Sequence, residues 1–150
     1  MHPKEQLQAD LKDAMRSGDA IRKSAIRMAL AAIKNAEVAK IGELDEGETL
    51  AVLQKEVKQR HETIADAEKA GKPEMVEEAR AEIAVLETYL PAQLSREEIA
   101  GHAQAAIEEV GATSPKQMGD VMRVLMPRLK GQADGKLVNE VVRELLASGD

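Results

Sequence analysis

Apolar residues recur three or four positions apart along most of the chain, and this spacing constrains the fold more than any other feature. The clearest stripe consists of Val76, Ala79, Ile83, Leu86 and Leu90. Since an α-helix turns once in about 3.6 residues, such a stripe lies along one helix face and can be buried against a neighbour. No stretch shows the alternation of apolar and polar residues that is typical of a strand. The sequence therefore predicts an all-α protein.

Glycine, proline and helix-capping residues divide this pattern into seven predicted helices. The second helix is predicted over about 19–41 and the third over about 46–69. Ser114 and Pro115 predict the start of the sixth helix, because a serine cap followed by proline is a common first turn. The residues that mark the other starts and stops are Gly18, Asp19, Asp45, Gly71, Pro73, Ser95, Gly131 and Asp134.

Pro91 marks the predicted boundary between two parts of the chain. The residue before a proline disfavours the α conformation, so the helix that carries Leu90 should end there. Four predicted helices precede this point and three short ones follow it. We therefore predict a four-helix bundle-like subdomain over residues 1–90 and a small three-helix subdomain over residues 91–150.

The composition excludes several classes of protein. The chain has no Cys, Trp or Phe and a single tyrosine, Tyr89, so thiol nucleophiles, disulfides and Cys-ligated metals are ruled out. Single-stranded nucleic acid is a disfavoured ligand, since aromatic side chains provide the surfaces on which bases stack. The net charge of −6 argues against nucleic-acid binding over the whole surface. With no long apolar run to predict a membrane span or a secretory signal, we expect a cytoplasmic monomer.

Residue patterns for catalysis or metal binding are sparse. No serine stands in a nucleophile motif, and the only histidines are His2, His61 and His102. Glu98 and His102 are four residues apart and could share a helix face as two metal ligands, but a zinc site needs at least a third. The favoured interpretations are an exposed polar pair at these two positions and a boundary residue at His61. We expect no catalytic site, no metal and no cofactor.

Basic residues recur every seven positions in the last two predicted helices. They are Lys116, Arg123 and Lys130 in the sixth helix and Lys136 and Arg143 in the seventh. At 100° per residue, a seven-residue step returns to nearly the same side of a helix. A surface that contacts phosphates and an ordinary solvated face both fit this spacing, and the spacing alone favours the solvated face. A further group of cations in the second helix, Lys23, Arg27 and Lys34, has no assigned role.

The connection between the sixth and seventh predicted helices is the most distinctive local feature. Gly131 can end one helix in the left-handed conformation, and Asp134 can cap the next. Gly135 then lies in a first turn, where it would let another backbone approach closely between two flanking lysines. An ordinary helix–loop–helix corner fits equally well, because the carboxylate of Asp134 would oppose a phosphate.

Several segments resemble the YqeY family. The most specific are residues 118–122 (MGDVM) and 125–139 (LMPRLKGQADGKLVN), a pattern also found in the tail domain of the B subunit of the glutamine-dependent tRNA amidotransferase. Residues 89–95 (YLPAQLS) resemble the family's junction between domains, and residues 15–19 (MRSGD) resemble the start of stand-alone members. The resemblance covers nearly the whole chain and implies four helices followed by three.

The resemblance also implies RNA contacts. In the amidotransferase, the tail domain helps to hold the folded body of the tRNA while a separate site carries out the chemistry. The matching positions are Lys130, Gly131, Ala133, Asp134, Gly135, Lys136 and Asn139. Further contacts are expected along the basic stripes at Lys116, Arg123 and Arg143.

Together these features predict a non-catalytic, tRNA-binding accessory module. Recognition of a folded RNA uses shape, phosphates and 2′-hydroxyls, so it does not require aromatic residues. One alternative is a protein-interaction module that docks on a tRNA synthetase or an amidotransferase. Another is carbon–nitrogen ligase activity with glutamine as amido donor, which family labels often include, although the sequence shows neither a nucleophile motif nor an ATP-binding motif.

Overall fold

The computed structural model describes residues 2–148, which form seven α-helices and a 3₁₀ turn and contain no strand. This confirms the all-α prediction. The chain divides into two compact units, unit 1 (Met1–Pro91) and unit 2 (Ala92–Asp150). The helices of unit 1 are α1 (Pro3–Ser17), α2 (Ala20–Lys40), α3 (Glu46–Lys69) and α4 (Pro73–Glu87). Those of unit 2 are α5 (Arg96–Val110), α6 (Met118–Leu129) and α7 (Gly135–Ser148).

Helix ends in unit 1 follow the capping residues. Gly18 ends α1 with a left-handed φ of 71°, and the Asp19 side chain then accepts a hydrogen bond from the N–H of Arg22. Asp45 and Glu48 form a capping box at the start of α3. Helix α2 ends differently, because its C-terminal cap is Ile41 at a φ of 60°, where glycine is the usual residue.

The core of unit 1 is built from aliphatic side chains and alanine. Helix α3 packs against α4, while α2 contacts α1, α3 and α4. The largest fully buried side chains in this core are Leu7, Ile26, Ile33, Leu53 and Leu86. Alanines 25 and 29 of α2 are also fully buried, and such small side chains let helix backbones approach closely.

An ion cluster lies within unit 1 beside this core. Arg60 of α3 is 4% exposed, and its Nε donates to the carboxylate of Glu82 on α4 at 2.9 Å. Its Nη1 bonds the backbone oxygen of Glu56 at 2.9 Å and lies 3.5 Å from that residue's carboxylate. Removing one partner from a buried ion pair costs about 3–5 kcal/mol, so the cluster fixes the pairing of α3 with α4.

Unit 2 has a separate core. Helix α5 packs against both α6 and α7, and α6 packs against α7. The largest buried side chains are Ile99, Val121, Leu125, Leu129, Val138 and Val142. Ser95 and Glu98 form the predicted capping box at the start of α5.

The sixth helix departs from its predicted start. Residues Pro115–Gln117 form a 3₁₀ turn, and α6 begins only at Met118. The side-chain oxygen of Gln117 accepts hydrogen bonds from the backbone N–H of Thr113 at 2.7 Å and from its hydroxyl at 3.2 Å. These bonds hold the preceding backbone in a turn, which the serine and proline signals alone do not predict.

Within residues 2–148, no helix combines the length and the apolar character that crossing a bilayer requires.

Candidate nucleic-acid interface

The connection between α6 and α7 has a defined backbone. Gly131 is buried and has a φ of 80°, a conformation that glycine adopts without strain. Its carbonyl accepts a hydrogen bond from the side-chain amide of Gln93 at 2.8 Å. The neighbouring carbonyl of Gln132 accepts one from the N–H of Leu94 at 2.9 Å. The start of unit 2 is thus fastened to the connection over residues 130–134.

Two lysines flank this connection on the surface. Lys130 and Lys136 are both exposed, and neither makes an ion pair within the described residues. Asp134 lies between them and is also exposed. Its Oδ1 accepts from the N–H of Lys136 at 3.4 Å, so its carboxylate caps α7 as predicted. That carboxylate occupies the helix N-terminus, and a phosphate is therefore better placed beside the lysines than on the helix end.

Three of the predicted contact residues contribute to the packing and backbone conformation of unit 2 rather than to its surface. Gly131 and Ala133 are buried, so the side chain of Ala133 faces the core of unit 2. Gly135 is half-buried, and a Cβ added there would lie 3.4 Å from Cε of Met126. The small residue at position 135 therefore accommodates a side chain of the same unit, which is a structural reason for the glycine that the sequence does not reveal.

The predicted stripe along the sixth helix is interrupted. Lys116 lies in the 3₁₀ turn and Lys130 follows the last residue of α6, so only Arg123 belongs to the helix itself. The alignment derived from 100° per residue therefore does not apply to all three cations. The Arg123 side chain is 81% exposed, and its guanidinium lies 3.7 Å from the carboxylate of Asp120.

The seventh helix presents a more coherent polar face. Lys136, Asn139 and Arg143 are separated by three and four residues and so share one side of α7. Arg143 Nη2 donates to the side-chain oxygen of Asn139 at 3.1 Å, which holds the guanidinium along the helix. Asn139 and Arg143 thus continue from Lys136 along α7 and extend the positive surface beyond the connection between α6 and α7.

Arg96 is a residue of this surface that the sequence does not single out. Its guanidinium contacts the carboxylates of Glu140 at 3.3 Å and Glu144 at 2.7 Å, both on α7. Hydrogen bonds to these two groups, that to Glu144 first, raise the pKa of Arg96 above its ordinary value. The single charge of Arg96 thereby offsets part of the acidic charge of Glu140 and Glu144 beside Lys136 and Arg143. The signal for this pairing is spatial, because 44 and 48 residues separate the partners.

The remaining candidates lie elsewhere. Lys23, Arg27 and Lys34 lie on α2 in unit 1, with Arg27 and Lys34 exposed. Glu98 and His102 are both exposed, as the polar-pair interpretation requires. Hydrogen bonds from Ser95, chiefly its backbone N–H, lower the pKa of Glu98.

His61 and the wider set of possible metal ligands add no site. His61 is exposed rather than at the edge of the core, so the prediction of a boundary residue is wrong. Its stripe partner Leu53 is fully buried and Ile64 is half-buried, so within the stripe it is position 61 that leaves the buried face. No group of three His, Asp or Glu side chains able to hold a metal occurs in the part of the chain that the structure describes.

The fold and surface define a class of small helical protein in which a four-helix unit precedes a three-helix unit with a lysine-flanked glycine connection. A family model described as "Yqey-like protein" matches residues 4–146. The chain belongs to the YqeY family, and the resemblance found in the sequence is confirmed.

Three curated relatives share the name "Altered inheritance of mitochondria protein 41, mitochondrial". The protein of Kluyveromyces lactis is 36% identical over 112 residues, which cover 73% of this chain and 60% of the relative. That of Eremothecium gossypii is 34% identical over 110 residues, 71% of this chain and 60% of the relative. That of Pyrenophora tritici-repentis is 29% identical over 146 residues, which cover 95% of this chain and 80% of the relative. The first two matches thus span about three fifths of the relatives' length.

These names correct the predicted location. A cytoplasmic protein was the expectation from the lack of an apolar leader, and it is contradicted because the relatives are named as mitochondrial proteins. The physical reason is that mitochondrial targeting segments are amphipathic and rich in Arg and Ser, so an apolar run is not the feature that marks them.

Proposed function

We propose that the chain is a non-catalytic module that binds the folded body of a tRNA through unit 2. The observation that carries this proposal is the pair of exposed lysines, Lys130 and Lys136, on either side of a connection whose backbone is fixed by Gln93 and Gly131. Fixed cations bind phosphates more effectively than flexible ones, because less side-chain and backbone freedom is lost on binding. The likeness of this connection to an amidotransferase tail domain supports tRNA as the polyanion.

A structured RNA fits the surface better than a single strand. Unit 2 contains no aromatic side chain on which bases could stack. The polar face formed by Lys136, Asn139 and Arg143 offers donors suited to phosphates and 2′-hydroxyls. We therefore assign sequence-independent backbone contacts to this unit.

According to the proposal, the module binds tRNA and does not itself catalyse a reaction. Ser95 caps α5, while the hydroxyls of Ser17 and Ser148 donate to backbone oxygens one turn earlier. These hydroxyls are engaged in local helix geometry rather than aligned with a base, which nucleophilic catalysis requires. The contacts of these three serines therefore lend no support to the ligase alternative.

The test is a tRNA titration of the full chain at several salt concentrations. Binding should weaken steeply with salt, because neutralised phosphates release counterions. Reversing both lysines (Lys130→Glu with Lys136→Glu) should weaken binding by roughly tenfold or more and reduce the slope of log K against log salt by about 2. Fluorescence anisotropy of labelled tRNA measures both quantities.

A matched variant controls for net charge. Lys55 and Lys69 are exposed lysines on α3 of unit 1, and Lys55→Glu with Lys69→Glu changes the total charge by the same amount. This variant should retain most of the affinity. Equal losses in the two variants, or no binding of the unmodified protein at low salt, would contradict the proposal.

A further inference from the structure

An apolar recess lies on unit 1, whereas the residues assigned to RNA belong to unit 2. Ile21 and Met28 of α2 and Met75 of α4 remain 42%, 46% and 44% exposed. They line two neighbouring recesses of about 280 and 520 Å³ that share Glu78 as a common wall. We call this surface the α2–α4 groove.

The floor of the α2–α4 groove carries no available positive charge. Arg60 is its only basic lining residue, and its guanidinium is buried against Glu82 and Glu56. Nη2 of Arg60 also donates a hydrogen bond to Sδ of Met28 at 3.3 Å. The arginine is thus committed to the ion cluster and does not offer its charge to a ligand.

The rim of the groove is acidic. The lining residues include four carboxylates (Glu74, Glu77, Glu78 and Glu82) against one guanidinium. Glu82 is neutralised by Arg60, and Glu77 lies 3.7 Å from Arg80. Glu74 and Glu78 are exposed and make no ion pair within the described part of the chain. Two carboxylates that make no ion pair therefore lie one helical turn apart on α4, beside the exposed methionines.

The five cations of α2 do not offset this charge. Arg22 lies 3.6 Å from the carboxylate of Asp10, and Lys40 lies 2.6 Å from that of Glu48. At 100° per residue, Lys23, Arg27 and Lys34 lie roughly 100–160° around the helix from Ile21 and Met28. They therefore belong to a different face of α2. A polyanion such as RNA would be repelled at the α2–α4 groove, while a positively charged ligand would be attracted.

We propose that the α2–α4 groove docks a basic amphipathic helical segment of a partner protein. Apolar side chains of that segment would enter between Ile21, Met28 and Met75, where flexible methionine side chains adapt to different shapes. Its Lys or Arg residues would pair with Glu74 and Glu78 at the rim. This interaction is independent of the RNA surface on unit 2 and gives the protein a second, chemically opposite contact.

The test uses a synthetic amphipathic helical peptide of Leu and Lys, with a Leu and Glu peptide of the same pattern as the comparison. The full chain, labelled with ¹³C at its methionine methyl groups, is titrated with each peptide. The basic peptide should shift the Met28 and Met75 signals and leave those of unit 2, such as Met126, in place. The acidic peptide should cause no shift.

Charge-reversal variants establish the site. Glu74→Lys with Glu78→Lys should weaken binding of the basic peptide roughly tenfold or more, since both rim charges are lost. Glu62→Lys with Glu108→Lys alters two exposed glutamates that do not line the groove, and its affinity should stay within about twofold. All four positions are exposed, so both variants should fold, which circular dichroism verifies.

Four results would overturn the proposal. They are shifts spread over all methionines, equal effects of the two variants, displacement of the peptide by folded tRNA, and a second copy of the chain seated on the groove. Sedimentation at increasing protein concentration detects the last of these. The reversal of Lys130 and Lys136 should leave peptide binding unchanged, so failure of the RNA proposal and failure of this one are distinguishable.

Discussion

At the scale of single residues, Tyr89 is the most informative side chain of unit 1. It is the only aromatic residue of the chain, it is half-buried, and its hydroxyl donates a hydrogen bond to the carboxylate of Asp10. Asp10 in turn lies 3.6 Å from the guanidinium of Arg22. The contact joins residues 79 positions apart and fastens the chain after α4 to α1.

The titration of this tyrosine is a direct test of the contact. Burial, followed by the hydrogen bond and the negative charge of Asp10, raises the pKa of Tyr89, while Arg22 opposes the shift. Because the folded-state pKa is raised above the unfolded value of about 10, the stability this group contributes is present below pH 10 and is lost as the pH rises above it. Absorbance at 295 nm should show tyrosinate forming only well above pH 10 in the native protein. The chain has no tryptophan to obscure the signal.

The Tyr89→Phe variant provides the comparison. It lacks the ionisable group, so its stability should fall less between pH 10 and pH 12 than that of the unmodified protein, as followed by urea unfolding. A native tyrosine that titrates near 10, as in an unfolded chain, would mean that the contact with Asp10 does not form.

At the scale of the elements, the backbone at the C-terminal end of α2 is strained, and a single substitution should relieve this strain. Ile41 adopts a left-handed φ of 60° while 92% of its surface is exposed, so its side chain gains little packing in return. A branched side chain in this conformation costs about 1–2 kcal/mol. We expect Ile41→Gly to raise the free energy of unfolding by about 1 kcal/mol, after allowance for the greater freedom of glycine in the unfolded chain.

A glycine inside the same helix is the matched control. Ala31 is exposed and lies in the middle of α2, where glycine lowers stability by about 0.5–1 kcal/mol relative to alanine. Opposite signs for Ile41→Gly and Ala31→Gly are therefore expected in chemical denaturation. A loss of stability in both would show that the end of α2 is not strained.

The elements themselves were largely predictable, because their signals are local. Apolar spacing predicts the helices, and Gly18, Asp19 and Ser95 mark ends that depend on neighbours within four residues. Local patterns do not predict the 3₁₀ turn at Pro115–Gln117. It depends on a hydrogen bond that the N–H of Thr113 donates to the side-chain oxygen of Gln117, and this bond competes with a helical start. Periodicity cannot anticipate such a bond.

The candidate site was only partly predictable, since its decisive contacts are distant in sequence. The exposed lysines of the connection were identified, but the interpretation of Gly135 was incomplete because Met126 contacts it from α6. The role of Arg96 beside α7 depends on the packing of α5 and α7. Local sequence patterns carry no information on pairs of this kind.

At the scale of the whole molecule, the two units have separate cores. The buried cluster of unit 1 includes Leu7, Ile26 and Leu53, whereas that of unit 2 includes Leu125 and Val138. Each cluster removes its apolar surface from water within its own unit. Damage to one core should therefore leave the side-chain contacts of the other unit intact.

A cavity-forming variant tests this independence. Leu125 is fully buried in unit 2, and Leu125→Ala should lower the stability of that unit by about 2–5 kcal/mol. The pKa of Tyr89 in unit 1 should remain raised, as in the unmodified protein, below the melting temperature of the variant. Absorbance at 295 nm and thermal unfolding by circular dichroism measure the two effects, and a shifted Tyr89 titration would reveal a shared core.

The fastening of Gln93 to Gly131 has a consequence for the order of folding. The hydrogen bond closes a loop of 38 residues, which is most of the length of unit 2, and a contact of that span forms only after the intervening helices have assembled. The lysines beside it acquire their fixed spacing at the same late step. If unit 2 binds tRNA as proposed, a partly folded chain should bind it weakly, and bound tRNA should slow the unfolding of unit 2.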